Sequence, residues 1–168
     1  GTVLFEEERD YISIATTRPE TMLGDGAVAV HPDDARYTAI VGKLCEIPVG
    51  PKDQRRLVPI ITDEYPDMTF GSGAVKITGA HDFNDYQVAK RGGIPMYALM
   101  DTKGRMRADG RPYDEEAATA QAIAIGKESF DEARIAGMNL VPEAYRGFDR
   151  FEAREMVIAD ITAEGLAV

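Results

Sequence analysis

Apolar and polar side chains alternate along Tyr-Ile-Ser-Ile-Ala-Thr-Thr at residues 11–17, the period of a half-buried strand. Thr2 to Phe5 opens the chain in the same manner, and Ala27-Val-Ala-Val30 gives a short apolar strand. Between them lies Arg18-Pro-Glu-Thr-Met-Leu-Gly-Asp25. Pro19 biases Arg18 to an extended conformation, so the strand runs up to Arg18 before a turn brings Thr21 back over it. Lys43 to Val49, Leu57 to Thr62 and Ile94 to Met100 read as further strands, with Pro and Gly between them. From Gly73 to Thr78 the pattern alternates again: Val75 and Ile77 face the core side, Lys76 and Thr78 the other.

Helical patterns separate and follow these strands. Pro32 to Val41 has Pro in its first turn and Gly42 at its end. A helix begins near Asp82. Asp114 to Ala136 is rich in Ala and Glu, with a break near Gly126. Asp149 to Glu164 carries a cap at Asp149, a stripe at Ala153, Val157 and Ile161, and a stop at Gly165. No internal repeat or low-complexity tail is present. Short strands with Gly/Pro turns predict an α+β, mainly β fold: a small β-barrel core decorated by peripheral helices.

The length, 168 residues, fits one domain with a real core, 1–168. One cysteine, Cys45, excludes a disulfide framework within the chain, and with only His31 and His81 besides, a closed structural zinc site is not expected. A reducing, cytoplasmic setting follows as an expectation. No segment is long and apolar enough to cross a bilayer, and the start resembles no signal peptide. The chain lacks an initiator Met and starts in a strand pattern, so it reads as a piece cut from a longer protein. With 29 acidic against 19 basic residues, net −10, it is not expected to grip a nucleic acid by itself.

The chemistry gathers in Gly71-Ser-Gly-Ala-Val-Lys-Ile-Thr-Gly-Ala-His-Asp-Phe-Asn-Asp-Tyr86. Lys76 and Thr78 share one side of a strand, Gly79-Ala80 turns, and Asp82 and Asp85 lie on one face of a helix's first turn. With His81 they read as the floor of a small polar pocket. Taken one by one, the same residues have plainer roles. Asp82 and Asp85 suit a helix start as capping and first-turn carboxylates. Lys76 suits a solvated strand position, Thr16 and Thr17 an ordinary strand, Arg18 the surface and His31 a loop. His81 with the two aspartates suggests a metal phosphohydrolase only if further ligands exist elsewhere, and His31 is the only other histidine.

Taken together, Ala15-Thr-Thr-Arg-Pro-Glu-Thr-Met-Leu-Gly-Asp25, Ala27-Val-Ala-Val30, Gly71 to Thr78 and His81-Asp-Phe-Asn-Asp-Tyr86 resemble the editing (connective-peptide) domain inserted in class I aminoacyl-tRNA synthetases, the valyl enzymes above all. The resemblance extends to Tyr145-Arg-Gly-Phe-Asp-Arg-Phe-Glu-Ala-Arg154 and so covers nearly the whole chain. Leucyl enzymes share a similar Thr-Thr-Arg-Pro-Asp-Thr run but usually lack the lysine, and isoleucyl enzymes usually lack the arginine; Lys76 with Arg18 therefore favours valyl. Two positions depart from the pattern, Gly79 for the common Pro and Gly26 for Thr or Ser. Gly79 would loosen the turn that positions His81 and Asp82. The ATP-binding signatures of the class are absent.

What the resemblance implies is hydrolysis of the ester joining a misattached threonine to the tRNA 3' end. A hydrophobic pocket built for valine rejects the isosteric threonine by only about a hundredfold, the known figure for valyl enzymes rather than one drawn from this chain. By resemblance Lys76, Thr78 and Asp82 read the threonyl hydroxyl, and Asp85 holds the substrate ammonium. Thr16, Thr17, Arg18 and Thr21 line the opposite wall, bind the adenosine and position water. Catalytic contributions are assigned to Asp85, Thr17 and His81. No cofactor and no metal are implied, ATP being used by a catalytic domain outside this chain. The implied partners are the charged tRNA end and the rest of the synthetase in cis, with no membrane. Two alternatives stay open: a non-catalytic RNA or protein interaction module of the same fold, and an editing domain of the sister leucyl or isoleucyl enzymes.

Overall fold

A computed structural model describes residues 8–167; the strand expected at Thr2–Phe5 lies outside them. Four short strands form one open sheet: β1 (Ala27–Val30), β2 (Leu44–Glu46), β3 (Leu57–Thr62) and β4 (Ala74–Ile77), in the order β2-β3-β1-β4. β1 runs parallel to β3, with Val28 opposite Ile60, and antiparallel to β4, with Val28 opposite Lys76. β2 is antiparallel to the first half of β3, where Leu44 faces Pro59. The ladder to β1 begins one residue later, at Ile60. Pro59, which has no N–H to give, thus sits where the strand changes partner.

The helices are α1 (Phe83–Gly92), α2 (Tyr113–Ala124), α3 (Glu132–Gly137) and α4 (Arg150–Ala163). They contribute 10, 12, 6 and 14 residues against strands of 4, 3, 6 and 4, so the fold is mixed α/β rather than mainly β. The break expected near Gly126 separates α2 from α3. α4 begins with a capping box between Asp149 and Glu152, and Ala153 and Val157 are buried from its stripe.

Every residue of β1 is buried, because both faces of the sheet are covered. Val28 and Val30 join the main core with Val58, Ile60, Leu99, Met106 and Leu140. Ala27 and Ala29 join a second cluster with Ile77, Val88, Ala89 and Ile94, where small side chains let α1 lie close to the sheet.

Among the described residues the sheet does not close into a barrel. Ile94–Met100 runs extended but uses its backbone otherwise: the Leu99 N–H donates to His81 Nε2 at 2.8 Å, the Leu99 and Ala98 carbonyls accept from Arg107, and only Met100 makes a bridge, to Met106. Residues 11–17 keep their alternation as burial, with Ile12 and Ile14 packed on the core, yet no ladder forms there. Thr16 instead spends its hydroxyl on the Arg18 N–H. The helix expected at Pro32–Val41 is a chain of turns, Tyr37 bonding to Asp34 and Ile40 to Tyr37. Its cause is local: His31 Nδ1 accepts from the Asp33 N–H, and the Asp34 carboxylate accepts from both the backbone and the guanidinium of Arg36.

Candidate active site

The polar groups meet where β4 ends and α1 begins, beneath the 3-10 turn Pro19–Gly24. Lys76 shares its sheet face with Val28, and its stem runs along that face towards the turn. Only 12% of its side chain is exposed. Its ammonium donates to the Thr78 hydroxyl at 2.6 Å and to the Thr21 hydroxyl at 2.9 Å, and reaches the Asp25 carboxylate at 3.4 Å. Thr78 is buried, and its own hydroxyl proton goes to Asp25. Thr21, also buried, donates to the Arg18 carbonyl through its hydroxyl and its N–H, which folds the turn back over the strand end as its sequence suggests.

Asp82 and Asp85, three residues apart, meet different surroundings. Asp82 is exposed and caps α1, accepting from the N–H groups of Asn84 and Asp85. Asp85 turns inward at 6% exposure, and its Oδ2 accepts the Thr78 N–H at 2.9 Å. Burial raises its carboxyl above the ordinary range, while the Thr78 hydrogen bond and Lys76 pull the other way. An ammonium and a carboxylate therefore flank Thr78, one held through its hydroxyl and the other through its backbone.

His81 is half-buried, with Nε2 occupied by the Leu99 N–H, so that nitrogen accepts and carries no proton. Burial, reinforced by Arg18 and Lys76, pushes the ring's pKa down to about 4. The carbonyl of the same residue accepts Arg18 Nη1 at 2.6 Å, tying the Thr16–Thr21 wall to the turn after β4. Thr17 is exposed and Thr16 half-buried. Among the described residues no three His, Cys, Asp or Glu side chains gather as metal ligands.

Two site residues went unnoticed in the sequence although both stand in the quoted motif. Glu20 is fully buried and takes two hydrogen bonds of 2.8 Å from Arg154 on α4. Asp25 is 2% exposed, and burial raises its carboxyl against the attraction of Lys76, Thr78 and Arg56. The sequence shows only two acids bracketing the turn; their burial, which demands a cation beside each, comes with the fold.

The two glycine departures follow from close packing. A Cβ on Gly26 would lie 2.7 Å from the Pro95 carbonyl oxygen and 2.5 Å from Ile94 Cγ2, so neither Thr nor Ser fits there without a backbone shift. A Cβ on Gly79 would meet Ala89 of α1 at 2.9 Å and Met96 at 2.8 Å. Instead of loosening the turn, Gly79 lets the end of β4 pack tightly against α1. A cleft of about 370 Å³ lies elsewhere, between Pro48–Arg55 and α4, and is lined by none of the site residues described above.

No family model matches the chain. The valine–tRNA ligase of Ruegeria pomeroyi is 73% identical over 168 residues, which are 100% of this chain and 16% of that protein. The valine–tRNA ligase of Xanthomonas euvesicatoria pv. vesicatoria is 43% identical over 173 residues, 100% of this chain and 17% of that protein. The chain thus spans about a sixth of the length of these curated relatives. Among solved structures, the crystal structure of GlLeuRS-CP1, from a leucyl-tRNA synthetase, matches 91% of this chain and 80% of its own with a TM-score of 0.53. At 14% identity that likeness concerns the fold.

Proposed function

The chain is related over its whole length to one stretch of the valine–tRNA ligases, and on that premise we propose that it is their editing domain, which hydrolyses the ester of threonine misattached to the valine tRNA. The observation that carries this reading is the pairing around Thr78: the Lys76 ammonium on its hydroxyl and the Asp85 carboxylate on its N–H. A threonyl ester offers the complementary set, a hydroxyl and an α-ammonium. Asp85 takes the ammonium, Lys76 and Asp82 take the hydroxyl, and Thr78 fixes the spacing between them.

An aminoacyl ester is already reactive, so holding it beside an oriented water suffices and no covalent nucleophile is required. Thr17 and Thr16, on the accessible wall, bind the terminal adenosine and that water, with Arg18 beside them. Thr21 acts through Lys76. His81 contributes as a neutral ring. The reaction uses no cofactor or metal. Net charge −10 means that the body of the tRNA is held by the remainder of the synthetase, which raises the effective concentration of the 3' end at this pocket. Such an enzyme works in the cytoplasm; among the described residues no helix is long and apolar enough to cross a membrane.

The test is to incubate the chain with threonyl-tRNA and valyl-tRNA and follow ester loss. Loss of threonine well above loss of valine is expected. Equal, background-level loss of both would leave an interaction module in place of an esterase.

A further inference from the structure

Asp25 closes the turn Pro19–Gly24, and the chemistry above has not used it. Its carboxylate accepts the Thr78 hydroxyl and forms the ion pair of Lys76, at 3.4 Å. Its backbone carbonyl accepts Arg56 Nη2 at 3.0 Å, and the same nitrogen donates to the Leu23 carbonyl at 2.8 Å, so a buried arginine fixes the residue from below. Lys76 has three ammonium hydrogens for three oxygens. Two contacts, at 2.6 and 2.9 Å, go to hydroxyls; the longest goes to the carboxylate. With no ligand the ammonium is therefore satisfied, and a fourth oxygen finds room beside the longest of the three hydrogen bonds, the one to the carboxylate, without displacing either hydroxyl.

We propose that Asp25 is a positioning residue: through the Thr78 hydroxyl it pins the Lys76 ammonium, and it yields the loosely held third hydrogen of that ammonium to the hydroxyl of a threonyl substrate. A valyl group has nothing to put there. The ammonium then stays on Asp25, and the valyl ester gains no contact from it. Asp25 itself does not touch the substrate. The role rests on the editing reading for its substrate, but the hold of Asp25 on Lys76 does not.

Two measurements on the 168-residue chain separate these layers. The first is the exchange of the Lys76 ammonium protons with water, followed by NMR in the wild type and in Asp25→Asn. The amide keeps the shape and can bond to Thr78 but carries no charge, so exchange about tenfold faster is expected, corresponding to the loss of one charge-assisted contact. The second is the ratio of threonyl to valyl ester hydrolysis, expected to fall about tenfold in Asp25→Asn and no further in Asp25→Asn/Lys76→Met than in Lys76→Met alone. Unchanged ammonium exchange in a folded Asp25→Asn chain overturns the proposal, as does an unchanged ratio beside an active wild type. A wild type inactive on both esters removes the editing reading, while the exchange measurement still decides whether Asp25 holds Lys76. Should Asp25→Asn not fold, Asp25→Ser removes the charge and leaves the Thr78 hydroxyl on Lys76 in place, and faster exchange is again the supporting result and unchanged exchange the opposing one.

Discussion

Glu20 and Arg154 meet through two parallel hydrogen bonds of 2.8 Å although 134 positions separate them. Glu20 is fully buried, and Arg18 Nε adds a third cationic contact at 3.8 Å. The turn that carries Thr21 over Lys76 is thereby fastened to the helix α4, and the wall of the site to the end of the chain.

Removing one partner leaves a buried carboxylate without its bidentate donor. Arg154→Met is expected to cost about 2–4 kcal/mol, the lower end allowing for the 23% exposure of Arg154 and the remaining Arg18. Urea unfolding monitored by circular dichroism reads this directly. A midpoint equal to that of the wild type would mean that the pair is incidental to the fold.

Asp85→Asn retains an oxygen for the Thr78 N–H but loses the charge, so the chain should stay folded with about 1 kcal/mol or less lost. Hydrolysis of threonyl-tRNA should drop about a hundredfold, since the substrate ammonium loses its counter-charge and its orientation. Asp85→Ala should abolish hydrolysis and cost more stability, about 1–3 kcal/mol, because the N–H is left unpaired. Normal hydrolysis by either variant would reduce Asp85 to a structural acceptor.

Selectivity separates reading the hydroxyl from general positioning. Lys76→Ala and Asp82→Ser should lower the rate on threonyl-tRNA about tenfold or more and leave any residual rate on valyl-tRNA nearly unchanged. Serine is chosen at 82 because it still caps α1, as Asp82 does for Asn84 and Asp85, so a helix-cap loss of about 1 kcal/mol does not intrude. Equal losses on both substrates would sink the claim that these two residues recognise the hydroxyl.

His81 gives stability a pH dependence of definite sign. Folded, its pKa is about 4 against an ordinary 6.5, so between pH 6.5 and 4 the unfolded chain binds a proton that the folded chain refuses, and stability falls as pH falls across that window. His81→Gln, whose amide oxygen can accept the Leu99 N–H, should flatten that slope. The raised carboxyls of Asp25 and Asp85 act in the opposite direction in both chains and cancel in the difference. Denaturant titrations at pH 7, 5.5 and 4.5 give the comparison; parallel slopes in the two chains would show that His81 is not the group responsible.

Local rules determined a good deal. The strand readings at Ala27–Val30, Leu57–Thr62 and Gly73–Thr78, the break near Gly126 and the Asp149 cap all depend on neighbours within a few positions, and each stands in the fold where the sequence puts it. The grouping of Lys76 with Thr78 and the helix start after Asp82 follow from the same short-range geometry. What alternation cannot say is whether an extended segment finds a partner. Residues 11–17 and 94–100 have strand patterns, yet the Thr16 hydroxyl accepts the Arg18 N–H, Leu99 gives its N–H to the His81 ring and the Ala98 carbonyl accepts the Arg107 guanidinium, and among the described residues the sheet stays open where a barrel was expected. Pro32–Val41 has a helical pattern that the Asp34–Arg36 contact overrides within two residues.

The site divides along the same line. Residue types and spacing made Lys76, Thr78, Asp82 and Asp85 legible, but the burial that sets Asp82 apart from Asp85 comes from the packing of α1 on the sheet. Asp25 reaches Lys76 across 51 positions and Glu20 reaches Arg154 across 134. Pairings at that range are chosen by which charges the closing core leaves without water, and only the tertiary structure decides that.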